Sequence, residues 1–191
     1  CEIKGLPVWQ FRPATYFDTD PVRSARYYKL HHYRLLTDYG HIVWIDASIL
    51  IRADIEYLVD AFREGEGPIG SFPHFSRRCT FAEAGECVLV DKDDPHLIGA
   101  QMARYREAGL PVDTGLSENG LMVCDPKDPL TQVVFKTWWR ELANGSRRDQ
   151  LSLTYALWVN DAGPMRLVDS RAQSFRFDEE RFELFEHGGK P

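Results

Sequence analysis

Several groups of residues in this sequence have the types and spacing to do chemistry. Trp44-Ile45-Asp46-Ala47-Ser48 places an acid directly after a short apolar run. A carboxylate there is costly unless it is solvated, paired or metal-bound. It can equally cap the following turn, so alone the segment fits either role. Arg23, Arg26 and Lys29 recur every third residue and are followed by His31 and His32. On a helix they share one face, either solvated or aimed at phosphate oxygens, which arginine binds bidentately.

Further groups lie along the chain. Gly115-Leu116-Ser117-Glu118-Asn119-Gly120 leads into an apolar run and suits a binding loop as well as an ordinary one. Ser146-Arg147-Arg148-Asp149-Gln150 offers a carboxylate and an amide at a helix start. They can hydrogen-bond sugar hydroxyls, cap the helix, or do both. His187-Gly188-Gly189-Lys190 combines a metal-type ligand, a phosphate-type cation and permissive glycines, or is a disordered tail. His74 with Arg77, Arg78 and Glu83 forms one more polar cluster.

Composition narrows the classes. The net charge of −6 gives nucleic-acid binding no electrostatic support. No apolar run reaches the length of a membrane span. The four cysteines show no CxxC spacing and read as buried free thiols. There is no P-loop, dinucleotide glycine pattern, GxSxG or HExxH. Arginine outnumbers lysine, which points to a bacterial source. The chain opens on Cys1 rather than Met and reads as one domain over 1–191, part of a longer chain or short of its first strand.

The elements that must position these residues are legible in outline. Asp20-Pro21 predicts a helix running to about Tyr39 and stopping at Gly40. A strand is expected at 41–45, a helix after Asp54, and a strand at 68–72. Thr80 to Glu83 has capping-box spacing, and Asp94-Pro95 restarts the helical run. A strand is expected at 120–124. Asp128-Pro129 caps a helix bearing Leu130, Val134, Trp138 and Leu142 on one face. A last helix runs through Trp158, and late strands are expected at 165–168 and 175–177. Strands alternating with helices predict an α/β layered fold with a mostly parallel central sheet flanked by helices. Ligands then sit beyond the carboxyl ends of the strands, where Asp46 falls.

Taken in order, these segments resemble the TOD/MUCI-type glycosyltransferase-like domain. The resemblance rests on Trp9, on Arg26, Lys29 and His32, and on Val43-Trp44-Ile45-Asp46-Ala47. It continues through His74, Arg78 and Glu83, Gly115 to Gly120, and Arg148-Asp149-Gln150-Leu151-Ser152, covering roughly 9–160. The layout is also similar to glycogenin-like transferases of the GT-A type. There a D-x-D motif holds a cation on the donor diphosphate, and a late H-x-x-G-x-x-K-P motif supplies a histidine and a lysine. Here Ser48 replaces the second acid, and His187 to Pro191 compresses the late motif.

The resemblance implies transfer of a sugar from a nucleotide-diphosphate donor to a glycan or other hydroxyl acceptor, in polysaccharide or glycoconjugate synthesis. It implies Mn2+ or Mg2+ on Asp46 and His187. Substrate contacts fall to Arg26, Lys29, His32, His74, Arg78, Asn119, Arg148 and Lys190. Asp149, Glu118 and Gln150 are the catalytic candidates. The alternatives are a degenerate, non-catalytic sugar-binding domain and a metal-dependent hydrolase. A cytoplasmic place, at the membrane surface, is expected, or the Golgi lumen in a eukaryote.

Overall fold

The computed structural model describes residue 10 and residues 12–163, 166–167 and 174–185. Helix α1 (Pro21–Leu35) starts where Asp20 accepts the Val22 N–H, as the Asp-Pro signal requires, but ends before the expected Tyr39. Strands β1 (Ile42–Ile45) and β2 (Ile49–Ile51) come next, then α2 (Glu56–Glu64) and β3 (Ile69–Pro73). After these come α3 (Thr80–Leu89), α4 (Pro95–Glu107) and β4 (Ser117–Cys124). Helices α5 (Pro129–Ala143) and α6 (Gln150–Val159) precede β5 (Arg166–Leu167), a 3-10 turn (Phe175–Phe177) and β6 (Phe182–Leu184).

The fold is α/β, but the main sheet is not mostly parallel. Its order is β1-β4-β3-β5, and β4 runs antiparallel to both β1 and β3. Among the described residues only β3 and β5 pair in parallel. Strands and helices are interspersed along the chain, with β1–β2, α3–α4 and α5–α6 as consecutive elements of one kind. The expectation of a parallel sheet fails because the late strand β4 inserts between β1 and β3 and reverses both ladders. A separate antiparallel ladder joins β2 to β6, whose 182–184 segment reads as tail in the sequence. The 175–177 segment is a 3-10 turn rather than a strand. Thr80 is the first helical residue and not a cap, since Cys79 precedes the helix and gives no side-chain bond.

Strand β4 alternates its side chains between two cores, as the period of a strand demands. Met122 and Cys124 join Leu30, Val134, Phe135, Trp138 and Leu153 under α1, α5 and α6. Leu121 and Val123 join Leu58, Phe62, Phe72 and Phe175 on the other face. A third cluster, with Cys87, Ile98, Tyr105 and Leu151, ties α3 and α4 to α6. Among the described residues no helix is long and apolar enough to cross a membrane.

The β3–β4 ladder is irregular. Its register jumps from Ser71↔Met122 to Phe72↔Glu118. The segment expected as a loop before β4 is therefore strand from Ser117, with a bulge over residues 119–121. Ser71 Oγ pins the bulge by donating to the carbonyls of Glu118 at 2.8 Å and Leu121 at 3.0 Å. Bulges bend a strand and re-aim its side chains, often beside active sites.

Candidate active site

The carboxyl end of β1, the β4 bulge and the start of α6 converge on a cavity of about 420 Å³. That size suits a small organic ligand. From the expected set, Arg26, Lys29 and Asp46 line one side, and Arg148, Asp149 and Gln150 the floor. His74, Glu118 and Asn119 complete the opposite wall. His32 and Arg78 do not line it. His187 and Lys190 lie outside the described residues.

The α1 stripe faces inward. Arg23 donates to the carbonyls of Leu142 and Gly145, locking α1 to the end of α5. One turn on, Arg26 and Lys29 reach two carboxylates. Lys29 Nζ lies 3.2 Å from Asp46 Oδ1 and 2.8 Å from Asp149 Oδ2, and the residue is only 1% exposed. Arg26 lies 4.0 Å from Asp46 and 3.7 Å from Asp149. Trp44 Nε1 donates to the same Asp46 Oδ1 at 2.7 Å. The Asp46 N–H donates to the Gly120 carbonyl at 2.8 Å, tying the acid to the bulge. Gly120 is closely packed: a Cβ there would come within 3.3 Å of Ile49 and Phe175, which would have to give by a few tenths of an ångström, and 3.7 Å from Asp46 Oδ2.

Asp149 caps α6 by accepting the Gln150 N–H, and its carbonyl accepts the indole N–H of fully buried Trp138 at 2.9 Å. Burial pushes its carboxyl pKa up, but Lys29 and then Arg26 more than reverse this and hold it well below the usual carboxylate range. Gln150 is committed at both ends, donating to the Ser117 carbonyl at 3.1 Å and accepting from Arg148 at 3.3 Å. Ser146 Oγ and the Arg147 N–H both donate to Asp93, fixing the approach to α6.

The opposite wall is built differently. Glu118 accepts from Ser174 Oγ at 2.8 Å, the Phe75 N–H at 3.2 Å and Arg176 Nε at 3.2 Å. Burial raises its pKa above the usual value, and Ser174 and Arg176 only partly offset this. His74 Nδ1 accepts the N–H groups of Ser76 and Arg77 at 3.2 and 3.0 Å. That network assigns its ring hydrogen to Nε2, which lies 3.9 Å from Glu83 Oε2. Burial lowers the His74 pKa, so the ring is a neutral donor at neutral pH. Arg77 pairs with Glu83.

Two expected substrate contacts sit elsewhere. His32 is buried in the apolar core, with Nε2 3.2 Å from Cys124 Sγ, and burial lowers its pKa to about 4. Arg78 is exposed. Conversely, sequence reasoning misses Arg176, Ser174 and the indole of Trp44 as partners of the site acids. Trp44 stands two residues before Asp46, a strand spacing that puts both side chains on one face. Nothing local marks Arg176 and Ser174, which arrive from a distant segment.

Among the described residues no group of three or more His, Cys, Asp or Glu side chains could hold a metal, and the expected ligand His187 lies outside them. Asp46 Oδ1 already faces an ammonium, an indole N–H and a guanidinium. One carboxylate oxygen of Asp46, beside the Ser48 hydroxyl, is then left for a hard cation, whose other ligands would have to be waters and substrate oxygens.

A family model described as TOD1/MUCI70, glycosyltransferase-like domain, matches residues 11–183. No curated protein and no solved structure matches the chain.

Proposed function

Because the chain belongs to the TOD1/MUCI70 glycosyltransferase-like domain family, we propose that it transfers a sugar from a nucleotide-diphosphate donor to a hydroxyl acceptor in glycan assembly. The observation that carries this reading is one cavity that gathers Arg26, Lys29, Asn119, Arg148 and three buried acids. Cations and amide donors suit phosphate and sugar oxygens. Buried acids of unlike proton affinity suit a reaction that moves a proton.

The two catalytic candidates then take different roles. Asp149 is too strongly ionised to accept a proton usefully, since a base works best with its pKa near the working pH. It orients Lys29 and Arg26 instead. Glu118 is the acceptor-side base. In an inverting transfer the acceptor oxygen forms a bond to the sugar C1 while the C1–O bond to the diphosphate breaks. The electron pair leaves on the diphosphate, and the acceptor proton passes to Glu118. Gln150 holds Arg148 at the floor, and Asn119 offers its amide to the sugar.

A thermal-shift screen of the full chain against nucleotide sugars, with and without Mn2+, tests the reading. Stabilisation by one nucleotide-sugar class, lost in Arg148→Gln, supports it. No shift with any nucleotide sugar would sink it. A second reading, a sugar-binding domain without turnover, is favoured by the commitment of both Asp46 and Asp149 to Lys29. Tight binding with no transfer or donor hydrolysis would select it.

A further inference from the structure

The cavity floor carries its own cation where a metal ion would otherwise bridge two acids. Lys29 Nζ is 3.2 Å from Asp46 Oδ1 and 2.8 Å from Asp149 Oδ2. An ammonium has three N–H groups. It donates to Asp46 Oδ1 and pairs with Asp149 Oδ2 as an ion at 2.8 Å, and the same residue borders the cavity. A divalent ion on Asp46 Oδ1 would have to sit beside this buried ammonium and near Arg26, with like charges repelling at short range in a poorly screened site. The position is filled from within the chain.

Charge bookkeeping locates the next piece. Lys29 and Arg26 balance Asp46 and Asp149. Glu83 has Arg77, Glu118 has Arg176, and Glu86 and Lys92, which also line the cavity, take part in no ion pair among the described residues. Among the described residues Arg148 has no carboxylate partner within ion-pair distance. Its guanidinium bonds the Gln150 amide oxygen at 3.3 Å, and its Nε is buried without a hydrogen-bond partner. Arg26 Nε and Asn119 Nδ2 are also buried donors without hydrogen-bond partners, and both residues line the same cavity. Asn119 is 2% exposed, and Ser117 Oγ holds its Oδ1, so its NH2 group is the part left over. Buried donors without acceptors are rare in folded proteins, so these are positions that a water or an anionic ligand would satisfy.

We propose that the donor diphosphate is bound here by side-chain cations without a divalent ion. Lys29 stands in the bridging position between Asp46 and Asp149, and Arg148 with Asn119 takes the anionic oxygens. This rests on the nucleotide-diphosphate reading above. It adds that Asp46 acts as a counter-charge that holds Lys29, rather than as a metal ligand. It also accounts for Ser48 where a second acid would stand: with Lys29 in place, a further carboxylate has no cation to hold.

The probe is inorganic pyrophosphate, titrated into the full chain by calorimetry in EDTA and again in Mn2+. Binding is expected in EDTA, with an affinity within about threefold of that in Mn2+. Arg148→Gln, at a half-buried position, should weaken it about tenfold or more. Asn119→Ala should weaken it by a smaller factor. Binding that needs Mn2+, Arg148→Gln binding like the wild type, or no binding in either buffer would each overturn the proposal. Nucleotide sugars titrated in parallel separate the two readings. If they bind only with Mn2+, the glycosyl-donor reading stands and the cation clamp falls. If pyrophosphate binds in EDTA and no nucleotide sugar does, the clamp stands and the donor reading falls.

Discussion

Asp149 and Glu118 are each 3% exposed, face one cavity, and hold their protons in opposite ways. Burial pushes both pKa values up. At Asp149 the cations Lys29, Arg26 and Arg148 outweigh burial and drive the value down. At Glu118 one cation contributes, Arg176, whose side chain is 45% exposed and therefore well screened. Burial alone does not assign a role to an acid. The number and burial of its partner cations do. One wall becomes a fixed charge scaffold and the other a group able to take a proton.

The strongest way to break this contrast is to remove the scaffold's cation. Lys29→Met takes from two acids, one of them buried, their nearest shared cation and leaves them Arg26 at 3.7 to 4.0 Å. Breaking a buried pair in this way costs about 3–5 kcal/mol of stability. Urea unfolding checks it, and a loss under ~1 kcal/mol would show that Lys29 is not the main counter-charge. Next in size is Trp138→Phe, which removes the indole donor from the Asp149 carbonyl while the Ser152 and Leu153 N–H groups still donate to it. We expect a loss of about 0.5–1.5 kcal/mol, the net worth of one hydrogen bond, measured by urea unfolding.

The contrast also predicts opposite pH responses. The lowered Asp149 pKa means its contribution is present above its unfolded value, near 3.8, and is lost as the pH falls through the folded value. The raised Glu118 pKa means its contribution is full below the unfolded value, near 4.5, and is lost as the pH rises through the folded value. Unfolding midpoints of Asp149→Asn should therefore approach those of the wild type only in strong acid. Those of Glu118→Gln should lack the decline above pH 4.5 that is expected of the wild type. The smallest effect belongs to Arg78→Ala. That exposed side chain lines neither wall, so stability should move by less than ~0.5 kcal/mol and binding should not change.

Much of this arrangement is legible locally. Three Asp-Pro pairs announce helix starts, and Asp20, Asp94 and Asp128 each accept a backbone N–H two residues on. The three-residue spacing of Arg23, Arg26 and Lys29 correctly puts them on one face. Spacing does not say where that face ends. His32, one turn further, passes under the sheet and meets Cys124 instead of the cavity. The sheet departs from the sequence expectation because strand partners are chosen over long sequence distances, and alternation of elements says nothing about β4 entering between β1 and β3. The Glu118 environment is invisible for the same reason, since Ser174 and Arg176 lie 56 and 58 residues away.

The division of labour between the two acids is best tested by following their side-chain carboxyl carbons in a 13C NMR titration of the full chain. The account predicts that Asp149 stays ionised well below pH 3.8 while Glu118 takes up its proton above pH 4.5. Both acids titrating at these ordinary values, or Asp149 protonating before Glu118 as the pH falls, would contradict it.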